Sequence, residues 1–271
     1  MPLIVGGSDK FKYVVKLRGS GDGVLANVVE MLSIKLGRLL KIPTLQPEFL
    51  IIDKSFIKEV KDQDPEIVEL LERSLGINFG MRYLEDVTPL NEQNSSGIDN
   101  DLKSDIFLYD LFLLNIDRSP KNTNMIVKEN KLWCLDYSSS VTMMSVVNGK
   151  TFQREEDFLK EIKRHPFYKN EIVANNFIEK LKSIEDKTIC DLVEELPEEW
   201  VHQLNAGNRV REMRRMISLN LIDKKSEAEL LKTRLEILRA LKIETEEERK
   251  LRLLKNKKAF EEKLERVVSS R

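Results

Sequence analysis

The sequence is poor in the residues that build disulfide frameworks and zinc sites. Its 271 residues include two cysteines, Cys134 and Cys190, and two histidines, His165 and His202. Two cysteines are too few for a disulfide framework, and neither histidine has a Cys or His partner at metal-ligand spacing. The composition therefore argues against a disulfide scaffold and a zinc domain, and the scarcity of cysteine fits a reducing compartment.

An excess of charge of one sign and long apolar runs are missing as well. Lys and Arg number 45 against 46 Asp and Glu, so no overall basic field is present to attract nucleic acid or an anionic membrane. No stretch approaches the roughly 20 apolar residues of a membrane-spanning helix, and the opening residues lack the apolar core of a secretory signal. We therefore expect a cytoplasmic protein that binds neither membrane nor nucleic acid.

The rest of the composition is that of a chain with a large core. Hydrophobic residues make up 41% and charged residues 34%, which excludes wholesale disorder. The hydrophobic pattern gives an N-terminal part of strands and one long helix (1–87), a polar connection (88–101), a helical part with one hairpin (102–200) and a helical extension (201–271). This order predicts an α+β, two-lobed fold with a cleft between the lobes.

Four elements matter for function. Phe11–Leu17 is a strand candidate, and leucines and valines between residues 25 and 40 recur at helical spacing. Ile106–Leu114 is apolar on nearly all sides, as expected for a helix buried in the core. The turn Lys128–Asn130 joins two short apolar runs and predicts a hairpin that ends at Asp136.

A polar loop follows the predicted buried helix directly. Within Asn115–Asn122, Asp117 and Asn122 lie five residues apart, in a loop that predicted structure fixes at both ends. The carboxylate of Asp117 can accept a proton from a hydroxyl, and the amide oxygen of Asn122 is a hard ligand suited to magnesium. By itself the pair is a weak signal, because a chain of this length holds on the order of one such pair by chance.

Three further charged residues extend this candidate site. Asp136 ends a strand, where it points out of the sheet edge, or it is a loop-starting aspartate that binds nearby backbone amides. Lys16 shares one face of its strand with Val14 and Arg18 and points either at an anion or at solvent. Glu30 lies on the polar edge of the long helix, where it is an ordinary surface residue unless it orients Lys16.

Together these residues have the serial order of phosphoryl-transfer machinery: strand lysine, helix glutamate, Asp-x4-Asn loop, hairpin and strand-end aspartate. In four motifs the chain resembles the HipA-like kinases, a protein-kinase-like group named for a bacterial persistence toxin kinase. The motifs are Tyr13-Val14-Val15-Lys16, Leu40-Lys41-Ile42-Pro43, Asn115–Asn124 and Leu135-Asp136. The resemblance spans residues 1–200. Within the loop, Arg118 and Asn124 match the family, whereas Ser119 stands where relatives often have His.

The resemblance implies a two-lobed protein-kinase-like fold and a role for each candidate residue. Asp117 would be the catalytic aspartate, and Asn122 and Asp136 would hold Mg²⁺. Lys16 would contact the phosphates of ATP, with Glu30 as its partner. We therefore expect ATP- and magnesium-dependent phosphoryl transfer to a Ser or Thr of a protein, with the adenine of ATP against the segment 79–84.

Several alternatives stay open at this point. The glycine cluster Gly19–Gly23, with Ser20 and Gly21, would cradle phosphate as an anion nest, or it is a plain strand-to-helix connection. The acceptor is alternatively a lipid headgroup or a small-molecule alcohol, and the chain is alternatively a nucleotide-binding pseudokinase or scaffold. The charged stretch Glu244–Arg271, with its narrow apolar stripe, is a solvated helix or binds a helical partner or a second copy of the chain.

Overall fold

A computed structural model describes residues 2–21, 23–150, 155–204 and 209–269 and confirms the α+β class. Its strands form two small antiparallel sheets, ordered β1-β2-β4-β3 and β5-β6-β7. The strands are β1 (Pro2–Gly6), β2 (Lys12–Lys16), β3 (Pro47–Ile52), β4 (Gly76–Arg82), β5 (Thr88–Pro89), β6 (Met125–Lys128) and β7 (Lys131–Cys134).

α-Helices make up most of the regular structure outside the two sheets in the described chain. They are α1 (Gly23–Leu39), α2 (Lys54–Glu59), α3 (Pro65–Glu72), α4 (Glu92–Ser95), α5 (Asn100–Leu113), α6 (Val141–Asn148), α7 (Glu155–Ile162), α8 (Asn175–Lys182), α9 (Asp186–Glu194), α10 (Glu198–Leu204), α11 (Val210–Ser226), α12 (Leu230–Ala240) and α13 (Glu246–Ser269). Among the helices described, none has the length and apolar composition needed to cross a bilayer.

The predicted hairpin is present as β6 and β7. Its two turn residues, Glu129 and Asn130, both have positive φ, at 50° and 62°, as a tight two-residue hairpin turn requires. The hairpin is anchored at its far end, where the Cys134 amide donates to the Pro43 carbonyl at 2.7 Å. The segment that follows α1 therefore fixes the strand that leads to Asp136.

Helix α1 lies at the centre of the protein. It packs against β3 and β4 on one side and against α6, α9 and α10 on others. Helix α5, the predicted buried helix, also meets it: the Tyr109 hydroxyl donates to the Ser33 carbonyl, and Gly37 lets the Tyr109 ring approach the helix backbone. Because several elements cover α1, more of its surface is buried than an amphipathic pattern suggests.

The predicted polar connection, residues 88–101, contains regular structure. It includes β5, which pairs with β6, and the short helix α4, which Asn91 caps in a reciprocal capping box with Asn94. Leu90 and Ile98 are buried in the main core. The segment is therefore packed onto the rest of the protein, while the domain boundaries themselves stay a prediction.

The predicted helical extension is largely part of the same core. Buried side chains of α11 and α12, among them Met213, Ile217 and Leu235, belong to the main hydrophobic cluster. In α13, by contrast, Leu251 and Leu254 are exposed. A partner or a second copy bound through these C-terminal helices stays a prediction.

Trp200 of α10 joins the helical part to the first sheet. Its side chain is buried, its Nε1 donates to the Ile77 carbonyl in β4 at 2.7 Å, and its ring meets Phe49 edge-on.

Trp200→Phe removes the hydrogen-bond donor and leaves a void. We therefore expect urea unfolding to show a decrease of about 1–3 kcal/mol in the free energy of unfolding. Ile51→Ala, at a side chain 72% exposed on β3, should change stability by less than about 0.5 kcal/mol. Equal effects of the two substitutions would contradict a role of Trp200 in holding the helical part against the first sheet.

Candidate active site

Lys16 forms ion pairs with two carboxylates that are distant in the sequence. Its Nζ lies 3.0 Å from Oε2 of Glu30 in α1 and 2.7 Å from Oδ1 of Asp136, two residues after β7. Strand alternation places Lys16 on the side of β2 that faces α1, while Val15 and Leu17 pack on the opposite side in a second, smaller core cluster. The fold thus brings together three of the residues that the sequence singled out.

Glu30 is buried, which corrects the prediction that it lies on a polar helix edge. Its Oε2 accepts hydrogen bonds from Lys16 and from the Tyr137 amide at 2.8 Å, while Oε1 is buried without a hydrogen-bond partner among the described residues. Burial raises the pKa of Glu30, and the Lys16 ammonium offsets only part of that rise. Glu30 is therefore a fixed partner of Lys16, which is the alternative to an ordinary surface residue that the sequence left open.

Asp136 adopts a left-handed backbone conformation, with φ of 56°, which aspartate tolerates better than most residues. Its Oδ1 accepts hydrogen bonds from Lys16 and from the Ser138 hydroxyl at 2.6 Å, and its side chain is 38% exposed. Burial alone would raise the pKa of Asp136, but Lys16 and Ser138 bring it below its usual value. Asp136 thus stays ionised and partly accessible.

Asp117 and Asn122 also meet, inside the polar loop after α5. The Asn122 side-chain amide nitrogen lies 3.3 Å from Oδ1 of Asp117, and the Asn124 amide nitrogen donates to Oδ2 at 3.1 Å. Both amides donate to the Asp117 carbonyl as well. The carboxylate is therefore oriented by two amides, and the carbonyl oxygen of the Asn122 side chain is left to accept.

The loop that carries Asp117 lies beside the segment that carries Asp136. The Leu135 amide donates to the backbone carbonyl of Asn124 at 2.8 Å. The side chain of the same asparagine donates to the Asp117 carboxylate. This backbone hydrogen bond thus joins the loop that carries Asp117 to the segment that carries Asp136. The expected roles of these residues in catalysis and metal binding stay predictions.

The oxygen donors present fit Mg²⁺. Asp136 offers an ionised, partly exposed carboxylate and Asn122 an amide oxygen, both hard ligands. Among the described residues, no group of three or more His, Cys, Asp or Glu side chains is placed to hold a metal ion. Mg²⁺ at phosphate-transfer sites is bound by one or two protein oxygens together with phosphates and waters, so the chemistry of these two side chains is compatible with that ion.

The glycine cluster after Lys16 has most of its described amides bonded within the protein. The Ser20 amide donates to Leu17, the Gly23 amide donates to Ser20, and the Gly19 amide donates to the Ser74 hydroxyl. Gly21 has a positive φ of 54°, and Asp22 lies outside the described residues. This bonding is that of a strand-to-helix connection, and a phosphate contact at Ser20 or Gly21 stays a prediction.

A buried charge cluster beneath the loop was not predicted as part of the site. Asp110 of α5 lies with its Oδ2 2.6 Å from the Arg118 Nε and 3.0 Å from the His165 Nε2. Its Oδ1 accepts from the Asn115 side chain at 2.9 Å. The signal was present in the sequence, because an aspartate inside the apolar run Ile106–Leu114 needs a buried partner.

His165 is held neutral in this cluster. The Phe167 amide donates to its Nδ1 at 3.0 Å, so Nε2 carries the proton and donates to Asp110. Burial and the nearby Arg118 lower the pKa of His165, against the opposing effect of Asp110.

This low pKa predicts a loss of stability in acid. Between pH 7 and 5 the histidine of the unfolded chain takes up a proton that buried His165 does not. The free energy of unfolding should therefore decrease as the pH is lowered, by up to about 1.4 kcal/mol per pH unit. Denaturant unfolding of His165→Gln should show a flatter profile over this range. His202→Gln, at the exposed second histidine, should keep the wild-type slope. Equal slopes in all three proteins would contradict the assignment.

A lysine–glutamate pair that meets a strand-end aspartate, beside an Asp-x4-Asn loop, is the arrangement typical of kinases. The model of one protein family, described as HipA-like kinase, matches residues 1–228. The chain therefore belongs to the HipA-like kinase family, and the match extends beyond the predicted residues 1–200 to residue 228, two residues past the end of α11. Comparison with curated proteins and with solved structures gave no match.

Proposed function

We propose that this HipA-like kinase has a two-lobed, protein-kinase-like fold and catalyses ATP- and Mg²⁺-dependent phosphoryl transfer to a Ser or Thr hydroxyl of a protein. The observation that carries the proposal is the contact of Lys16 with both Glu30 and Asp136, residues that lie on separate elements of the chain. Burial of a glutamate is unfavourable, as its raised pKa indicates, and such perturbed groups cluster at functional sites, where Glu30 would orient Lys16.

Each residue has a chemical role in this proposal. Asp117, oriented by Asn122 and Asn124, would align the acceptor hydroxyl and take up its proton. Lys16, oriented by Glu30, would bind the phosphates of ATP in the cleft predicted between the two lobes, with the adenine against the segment 79–84. Asn122 and Asp136 would hold Mg²⁺, which neutralises phosphate charge when bound.

A protein acceptor is supported by a cleft next to the Asp117 loop. The cleft has a volume of about 920 Å³ and is lined by Pro120 and Thr123 of that loop, whereas Lys16 and Asp136 do not line it. Its walls combine apolar side chains such as Phe167 with charges of both signs, which suits a polypeptide better than a uniformly anionic lipid headgroup.

Transfer of labelled γ-phosphate from ATP tests the proposal. The protein would be incubated with Mg²⁺ and, in separate arms, a protein extract, lipid vesicles or small alcohols, followed by phosphoamino-acid analysis. We expect label in phosphoserine or phosphothreonine. Label in lipid or alcohol alone would overturn the protein acceptor, and ATP binding without transfer to any acceptor, including the protein itself, would favour a pseudokinase.

A further inference from the structure

Arg118 follows Asp117 in the loop but points into the core. It is buried, and its Nε lies 2.6 Å from Oδ2 of the buried Asp110. Asp110 is held in turn by His165 and Asn115. The Asp110 carboxylate offsets part of the desolvation of this buried charge, and this ion pair ties Arg118 to the core beneath the loop.

The same guanidinium holds the far end of the loop. Its Nη1 donates to the carbonyl of Thr123 at 3.1 Å and to the carbonyl of Asn124 at 2.7 Å. The loop that begins at Asp117 is thereby closed at its other end, five and six residues after Arg118. In this closed loop the side-chain amides of Asn122 and Asn124 contact the Asp117 carboxylate.

Arg118 also touches the other half of the site. Its guanidinium lies 4.8 Å from the centre of the Tyr137 ring. The backbone amide of Tyr137 donates to Oε2 of Glu30, the partner of Lys16. One buried side chain thus contacts the catalytic loop on one side and, on the other, the residue next to Asp136.

We propose that Arg118 is a positioning residue that clamps the loop 117–124 shut, so that Asp117 and Asn122 keep their places in the site. This inference rests on the proposed kinase function. A lysine at this position would keep the charge opposite Asp110 but lacks the planar fork that reaches a carboxylate and two carbonyls together. Misplacement of reacting groups by about 1 Å lowers turnover by up to about 10²-fold.

Arg118→Lys is the informative variant. Phosphoryl transfer should lose up to about 10²-fold in kcat, whereas the affinity for ATP measured without Mg²⁺ should stay within about threefold of wild type, because the ion pair of Lys16 with Glu30 remains. Hydrogen exchange, measured by mass spectrometry on peptides over 117–124, should be roughly tenfold faster at the Ser119 and Asn122 amides, whose mutual hydrogen bonds depend on the closed loop.

Arg214→Lys is the matched control. Arg214 also joins a carboxylate, of Glu194, to a carbonyl, of Leu196, but does so on the helices α9 to α11. Its variant should keep wild-type kcat and wild-type exchange over 117–124. If Arg118→Lys does not fold, the double variant Asp110→Asn with Arg118→Met removes both buried charges and should show the same faster exchange of the loop.

The two readouts separate this inference from the kinase proposal. Faster loop exchange in Arg118→Lys supports the clamp even if the wild-type protein transfers no phosphate, in which case only the kinase function fails. Wild-type exchange over 117–124 in the Arg118 variants, or a loss of kcat equal to that of Arg214→Lys in an active enzyme, would overturn the clamp.

Discussion

Asp117→Asn is expected to lower the turnover of phosphoryl transfer by about 10²–10⁴-fold, the usual effect of losing a general base. The asparagine keeps the size of the side chain and can accept one of the hydrogen bonds that now come from Asn122 and Asn124. It cannot accept a proton from the acceptor hydroxyl. The fold and the affinity for ATP should therefore stay close to those of wild type.

The measurement is kcat with saturating ATP, alongside the thermal unfolding midpoint with and without ATP. Asp62→Asn, at an exposed aspartate between α2 and α3, is the control for removal of one negative charge and should keep wild-type turnover. Turnover in Asp117→Asn within about threefold of wild type would remove Asp117 from the catalytic role, since even a modest general base contributes more.

Asp136→Asn should be equally severe but for a different reason. Asparagine also tolerates the left-handed conformation of residue 136, so the substitution removes charge without adding backbone strain. Lys16 keeps its contact with Glu30. Loss of a charged metal ligand should lower turnover by about 10²–10³-fold or more and remove the part of ATP binding that depends on Mg²⁺.

Comparison of the two variants separates their roles. Asp117→Asn should still bind ATP more tightly with Mg²⁺ than without it, whereas Asp136→Asn should not. Calorimetric titration with ATP in the presence and absence of Mg²⁺ provides the measurement. Retention of the magnesium effect in Asp136→Asn would exclude that residue as a ligand and leave it as a partner of Lys16 alone.

Two features around the site were predicted from local pattern alone. The hairpin turn at Glu129 and Asn130 and the apolar helix before Asp117 come from neighbouring residues, and both are confirmed. The meeting of Lys16, Glu30 and Asp136 was predicted from the order of residue types and the family resemblance. The three side chains do meet, since the serial order reflects an arrangement of elements in space, while their roles in a site stay predictions.

The parts that were missed depend on contacts between distant elements. Glu30 was assigned to a polar helix edge because helical spacing alone does not show that α6, α9 and α10 cover α1. The bounds of β4, Gly76–Arg82, are set by its pairing with β2 and β3, which the hydrophobic pattern does not show. Arg118 was named only as a family match, because its buried partner Asp110 lies in another element.

If Lys16, Glu30 and Asp136 form part of a site for ATP with Mg²⁺, these ligands should stabilise the folded protein. A thermal-shift titration of the wild-type protein with ATP, with and without Mg²⁺, measures this effect. We expect a rise in the unfolding midpoint that is larger with Mg²⁺, equivalent to about 2.7 kcal/mol when ATP is at 100 times its dissociation constant. An unfolding midpoint that ATP leaves unchanged at millimolar concentration, with or without Mg²⁺, would contradict it.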